Sequence, residues 1–390
     1  METYRLLETY HIYYSSEDLP STWNDLVGHD IFLQASYLQA LEEASPNNIQ
    51  LFYIGVFKDD NLVGGAIVQR VQLYLKDMFR KTKVSCVKEF VQDLVSKVLK
   101  GNILVVGNLT HTGQHGVFYL KDKIDTARYL NTVSDALEEL REEIKATQNK
   151  KIRAILWKDY FLDDPIHIEE GFFKKQMLYK IVVQPNMIMP VRQQWQNFGD
   201  YVGSLTKKYR DRYKRARKKF NTIHITELDL EAVYKEAPRL HKLYLNVSNN
   251  AKFNTFLLPD NHFYSLKLRL GNHFKIFGYY IDNELVGFYT LLLNKGDLET
   301  YFLGYDKEHQ YPNQLYLNML YDMAQYAIEN KFSTIVYART AMEIKSSVGA
   351  EPKAMVVYLK HTNGVMNTVL KIIFWLMNPK QKWNERHPFK

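Results

Sequence analysis

Two short stretches of this chain hold residue types at spacings suited to proton transfer and anion binding. The first is Gly107-Asn108-Leu109-Thr110-His111-Thr112-Gly113-Gln114-His115-Gly116. Its glycines let backbone N–H groups come close to an anion, so Gly113, Gln114 and Gly116 are candidates for holding a phosphate-bearing cofactor. His111 and His115, four residues apart, titrate near neutrality and are candidates for a general base. A glycine-rich turn with solvated histidines is the alternative. The second stretch is Arg339-Thr340-Ala341-Met342-Glu343-Ile344-Lys345. It follows an apolar strand at Thr334–Ala338, and a helix starting near Thr340 would put Glu343 in its first turn. A carboxylate there stays ionised and could take a proton from an amine. Arg339 offers a planar fork for phosphate, sulfonate or carboxylate, and Lys345 is a second cation for substrate binding. An Arg339–Glu343 ion pair joining strand to helix is the competing reading.

A third candidate is defined by charge. The 390 residues hold 51 Lys+Arg and 43 Asp+Glu, a formal net charge of +8. The segment Lys207–Lys219 (KKYRDRYKRARKK) carries nine basic residues and one Asp, so it accounts for the whole excess. At helical spacing Lys207, Arg210, Lys214, Arg217 and Lys218 form one stripe with Arg215 beside it, while Tyr209, Tyr213, Ala216 and Phe220 form another. An anionic membrane surface, the phosphates of a substrate or cofactor, and tRNA are the partners such a helix suits; a solvated face is the bland alternative. Tyr301 and Tyr305 share a strand register with Leu303, and either line a pocket or pack in a core. Between that strand and the next helix, Glu308–Asn313 has no glycine to cradle a phosphate, and Asn313 suits a helix cap.

Composition removes other chemistries. One cysteine, Cys86, excludes an internal disulfide framework and a cysteine-based zinc site, and no histidine–carboxylate spacing suggests a metal. With 46% hydrophobic and 24% charged residues the chain reads as globular. No stretch reaches the roughly 18 apolar residues needed to span a bilayer, and the N-terminus has no secretory pattern, so a cytoplasmic location is expected.

The elements that must position these residues come twice. Residues 55–64 (GVFKDDNLVG) and 278–287 (GYYIDNELVG) are matching hairpin signatures. After the first come a strand Ile103–Val106, a helix Thr126–Thr147, and strands Ile152–Trp157 and Gln176–Val183. After the second come a strand Glu299–Gly304, a helix Leu315–Asn330, and strands Thr334–Ala338 and Ala354–Lys360. Two α/β (α+β) domains of one type are expected, each a mixed central sheet flanked by helices. Their bounds are read as 1–190, with a helical prelude and an insertion at about 73–100, and 191–363. The connector is Gln184–Pro190, between two prolines. A tail, 364–390, is apolar over Val365–Met377 and basic from Lys380; with Trp375 and Trp383 it reads as an interfacial anchor or a last packed helix.

Hairpin, strand, loop, helix and strand in that order resemble the GNAT acyltransferase core. Two copies, with the prelude SYLQALEE at Ser36–Glu43 and the segment Ala338–Ala350, resemble the FemABX and BioF2-like N-acyltransferases, including ceramide-synthase-type enzymes of Bacteroidota. The resemblance implies transfer of a long-chain acyl group from acyl-CoA or acyl-ACP to a lipidic amine, such as a sphingoid base or its sulfonate analogue, without a metal. It places the Gly107–Gly116 junction where a pyrophosphate is held, and implies a peripheral site at the inner membrane face. A FemABX-type transferase using aminoacyl-tRNA on a peptidoglycan precursor is the alternative it leaves open, and a non-catalytic protein binding anionic lipid or nucleic acid is another.

Overall fold

The computed structural model describes residues 8–73, 100–250, 254–377 and 383–390. Most of the expected insertion, Cys86 included, lies outside the described residues, as do Lys380, Lys382 and the side chain of Trp375. The chain forms two compact units. Unit 1 takes Met1–Val183, Lys252–Leu257 and Met355–Lys380, and unit 2 takes Gln184–Ala251, Leu258–Ala354 and Gln381–Lys390.

Along the chain, unit 1 begins with β1 (Thr9–Tyr13), α1 (Trp23–Val27), α2 (Ala35–Glu43), β2 (Ile49–Lys58), β3 (Asn61–Leu73), β4 (Gly101–Val106) and β5 (Val117–Tyr119). Then come α3 (Thr126–Gln148), β6 (Ile152–Phe161) and α4 (Glu170–Lys175). The strand β7 (Tyr179–Pro190) passes into unit 2, which continues with α5 (Phe198–Ser204), α6 (Lys207–Lys219), β8 (His224–Glu227), α7 (Leu230–Ser248) and α8 (His262–Leu270). It goes on through β9 (Phe274–Ile281), β10 (Glu284–Asn294), β11 (Asp297–Tyr305), α9 (Lys307–Asn313), α10 (Leu315–Glu329), β12 (Thr334–Val336) and α11 (Met342–Ser346). Finally β13 (Glu351–His361) returns to unit 1 and leads into α12 (Gly364–Met377).

Within unit 1 the strand order is β1-β2-β3-β4-β6-β13, with β5 on β3. Within unit 2 it is β7-β12-β11-β10-β9-β8. Both repeat one plan: an antiparallel hairpin, a third antiparallel strand, a helical crossover and a parallel return, β4 to β6 in unit 1 and β11 to β12 in unit 2. The matching decapeptides are the two hairpins. Their turns, Asp59-Asp60 and Asp282-Asn283, hold both residues at positive φ (50° and 61°, 48° and 65°), the two-residue geometry that matches strand twist. The mixed-sheet expectation holds. The closing strands differ from it: Met355–His361 pairs with β6 in unit 1, and Ile188–Pro190 pairs with β12 in unit 2. The connector Gln184–Pro190 is thus part of a strand. An apolar strand at the end of a repeat does not reveal by composition which sheet it completes.

Helix periodicity explains the covering layers. In α3, Leu130, Val133, Leu137, Leu140 and Ile144 fall on one buried face, Asp125 caps the start and Asn149 ends it in the left-handed region. In α6, Tyr209, Tyr213 and Ala216 turn inward onto the core of unit 2 with Phe220 just beyond. Glu308–Asn313, read as a loop, is helical despite Pro312, and Asn313 does not cap α10: its amide donates to the His309 carbonyl at 3.2 Å. The tail is docked too. In α12 Leu370 is buried and Asn367 bonds both the His361 N–H and the Met177 carbonyl, while Phe389 packs on Trp195 and Tyr201 in unit 2.

Backbone approach fixes one position in unit 2. A Cβ on Gly304 would lie 2.4 Å from the Leu243 carbonyl carbon and 2.5 Å from the Tyr244 nitrogen in α7. Those are backbone atoms of a helix, which cannot swing aside as a side chain can. Gly304→Ala is therefore expected to destabilise the protein by roughly 1–3 kcal/mol, read as a lower urea midpoint.

Candidate active site and the fate of the sequence candidates

The Gly107–Gly116 loop in unit 1 is closed on itself. The Gly107 N–H donates to Ile67, and the Ile67 N–H donates to Gly116, both at 2.8 Å. A Cβ on Gly116 would sit 2.4 Å from the Gly107 Cα, so this glycine serves chain-to-chain packing. The Gly113 N–H donates to Asp159 at 3.3 Å, and the Gln114 side chain bonds Asp164 and the Phe161 N–H. In unit 1 the parallel pairing of β4 and β6 also runs on to Val106–Trp157. Gly113, Gln114 and Gly116 thus do structural work rather than form a cradle.

The two histidines part company. His111 packs on Phe32 with ring centroids 4.1 Å apart and lies 3.3 Å from the Tyr37 hydroxyl. Burial first, then the charges of His115 and Lys158, push its pKa well below 6.5, so it is a neutral core imidazole rather than a base poised for neutral pH. His115 Nδ1 lies 2.7 Å from Asp30 Oδ2. Burial works against the Asp30 charge, but His115 outweighs it and holds that carboxyl below its ordinary value. A carboxylate-oriented imidazole results, and Asp30, 85 residues away, gave no local signal.

Unit 2 differs at the corresponding strands. Parallel pairing of β11 with β12 covers Asp297–Glu299 against Thr334–Val336 and stops. β11 runs on to Tyr305, whereas the chain after Val336 turns to β7: the Tyr337 N–H donates to Met187 at 2.8 Å and the Met187 N–H to Ala338 at 3.2 Å. The two strands therefore part beyond Glu299 and Val336. A bulge falls at the same place. Leu303 faces Tyr289 and Thr300 faces Leu291, so Tyr301 and Phe302 together oppose Thr290. This overturns the shared register of the three side chains. Tyr301 bonds the buried His262 of α8 at 3.0 Å, while Leu303 and Tyr305 pack toward α10.

Beyond β12 the chain makes a strained turn. Ala338, Thr340 and Ala341 have φ of 58°, 68° and 46°, a left-handed cluster without glycine. It delays α11 to Met342. Lys345 is buried and clamps this turn, donating to the carbonyls of Arg339 at 2.6 Å and Ala338 at 3.2 Å. Burial lowers its pKa to about 7. It therefore holds backbone, not substrate. Against the competing reading of an Arg339–Glu343 pair, Glu343 has other partners: it accepts from the Asn384 N–H at 3.2 Å and lies 3.4 Å from the Arg386 guanidinium.

The basic helix divides its cations between core and surface. Arg217 reaches Asp322 at 2.6 Å and stacks near Tyr213, Phe220 and Tyr321. Arg210 is half-buried and donates to the Leu205 carbonyl at 3.1 Å. Neither presents itself to a membrane or polyanion. Lys207, Lys214, Arg215 and Lys218 are exposed. Next to them is a cavity of about 360 Å³ lined by Lys208, Tyr209, Arg212, Arg215, Glu343, Ile344 and Arg386. The sequence stripe omitted Lys208 and Arg212, which the fold brings opposite Glu343. Among the described residues no cluster suits a metal ion, and no helix is long and apolar enough to cross a membrane.

Residues 207–346 match the family model described as acetyltransferase (GNAT) domain. No curated protein matches the chain. Among solved structures it is similar to FemX, at 12% identity and TM-score 0.53, covering 93% of this chain and 99% of that one. It is also similar to a tandem GNAT protein from the clavulanic acid biosynthesis pathway, at 10% identity and TM-score 0.50, covering 91% and 99%. These likenesses show the tandem GNAT fold. Residues 207–346, nearly all of them in unit 2, thus match a GNAT acetyltransferase domain within a chain of tandem GNAT fold.

Proposed function

We propose that this protein is an N-acyltransferase that carries a long-chain acyl group from acyl-CoA to the amine of a lipidic acceptor, with the chemistry in unit 2. The observation that carries this reading is the parting of β11 from β12 beyond Glu299 and Val336, beside the Tyr301–Phe302 bulge, with the chain after β12 leading on to Glu343, which lines the cationic cavity. An opening between two parallel strands admits an extended acyl arm along β11, and fixed backbone dipoles there can stabilise the oxyanion. Glu343 accepts the proton of the attacking ammonium, and the cationic cavity takes an anionic substrate group. The exposed Lys207, Lys214 and Lys218 favour a peripheral position on an anionic membrane.

Purified protein with palmitoyl-CoA and sphinganine 1-phosphate, a long-chain amine that carries an anionic group, should yield the amide; no amide across a panel of long-chain amines with and without such a group overturns the reading. Glu343→Gln should lower kcat about a hundredfold, measured by thiol release from acyl-CoA.

One observation favours a second reading. In unit 2 the α10 start is already served: Gln310 accepts from the Tyr316 N–H at 3.0 Å, and Gln314 before it is left-handed at φ 49°. With the unit 1 loop closed as well, neither junction has the glycine-lined form that suits a nucleotide pyrophosphate. An aminoacyl-tRNA donor needs no such cradle. It predicts a tRNA gel shift on this chain that fades steeply with salt, and no shift at low salt removes it.

A further inference from the structure

The cavity on α6 has a charge pattern that general polyanion binding does not explain. Lys208, Arg212 and Arg215 stand at i, i+4 and i+7, so one helix face aims all three into it. Among the described residues, none of the three has a carboxylate within 4.0 Å, whereas Arg217 on the same helix is paired with Asp322. Facing them is Glu343, half exposed at 50%, and Arg386, 39% exposed. Their contact is single and long, 3.4 Å, where a charge-assisted hydrogen bond settles near 2.7–2.9 Å. Arg386 is meanwhile tethered by its own N–H to the Ser346 hydroxyl at 3.1 Å, so its guanidinium can change partner without moving the backbone.

We propose that this cavity binds the headgroup of the acceptor, a primary amine carrying a phosphate or sulfonate a few bonds away. The anion takes Lys208, Arg212 and Arg215 and draws Arg386 from Glu343, and the freed Glu343 carboxylate takes the ammonium. Guanidinium forks suit tetrahedral oxyanions, and a cavity of about 360 Å³ is at the small end of ligand sites, headgroup-sized. The amine would then lie against the group that must accept its proton. This deepens the acyl-transfer reading and rests on it for the role of the amine, but the binding itself can be measured without turnover.

The test is calorimetric titration of the full chain at low ionic strength with phosphoethanolamine, inorganic phosphate and ethanolamine. Phosphoethanolamine should bind on the order of tenfold more tightly than phosphate, and ethanolamine should show no binding. Arg212→Ala with Arg215→Ala should weaken phosphoethanolamine and phosphate alike by at least about tenfold. Glu343→Gln should bring phosphoethanolamine down to the phosphate affinity, and Lys219→Ala, outside the cavity, should change neither. Sphinganine 1-phosphate binding more tightly than phosphoethanolamine assigns a lipidic headgroup; equal binding assigns a soluble one. Equal affinity for phosphate and phosphoethanolamine, no binding of either, or displacement of phosphoethanolamine by coenzyme A overturns the proposal. Binding without amide formation in the transfer assay would refute the acyl-transfer reading and leave the headgroup site standing.

Discussion

Asp322→Ala should cost about 3–5 kcal/mol of folding free energy, the penalty for leaving a buried charge without its partner. In unit 2 Asp322 sits on α10, 8% exposed, with one oxygen 2.6 Å from Arg217 and the other accepting the Tyr279 hydroxyl. Arg217 also donates to Asn318 at 3.3 Å, and the Asn318 amide donates to the Ala216 carbonyl at 3.2 Å, so the pair fastens α6 to α10. Burial opposes the guanidinium charge, but Asp322 more than offsets it and raises the Arg217 pKa above its ordinary value. Alanine at 322 removes that offset and strands the cation among Tyr213, Phe220 and Tyr321. The measurement is the urea midpoint at constant slope. Arg217→Met with Asp322→Leu should recover most of the loss, because a well-packed apolar pair avoids the desolvation of both ions. A loss below about 1 kcal/mol for Asp322→Ala would mean that the pair is effectively solvated.

That ion pair also shows where sequence reading stops. The segment Lys207–Lys219 is recognisably a helix with an aromatic stripe, and α6 has those bounds. Charge alone cannot say which cation turns inward, because Arg217 differs from Arg215 only in the partner that α10 supplies. The hairpins were legible because Asp59-Asp60 and Asp282-Asn283 are turn chemistry repeated at the same place in both copies. The helices α3 and α10 were legible because period and length agree. The Gly107–Gly116 loop misled because glycine serves equally for an anion and for close packing, and the choice was made by Ile67, Asp159 and Asp30, all distant in sequence. The candidate site in unit 2 drew on residues of both kinds. Glu343 and the basic helix stood out, but their meeting depends on the left-handed residues at 338–341 and on Arg386. A bulge that reverses Tyr301 has no composition signal at all.

Lys345 gives the second large effect, and it is one of pH. Its ammonium is lowered by burial from 10.5 to about 7, so between those values the unfolded chain binds a proton that the folded chain does not. Stability must then rise with pH across that window, by up to about 1.4 kcal/mol per pH unit where the difference is complete, and a few kcal/mol in all. Below pH 7 both states are protonated and the folded state bears the full cost of a buried ammonium. A neutral amine keeps two N–H groups, enough for the carbonyls of Ala338 and Arg339, so the clamp on the left-handed turn persists when the charge is lost. Lys345→Met separates charge from clamp. Its stability should lack the wild-type rise above pH 7 and so fall progressively behind wild type toward pH 10, and below pH 7 it should equal or exceed wild type despite the two lost hydrogen bonds. Urea denaturation of both proteins from pH 6 to pH 10 measures the difference and cancels every other titrating group they share. Parallel stability curves would place the ammonium in contact with solvent. A methionine variant that is less stable at every pH, by an amount that grows between pH 7 and pH 10, would show instead that the hydrogen bonds to the turn outweigh the burial of the charge at this position.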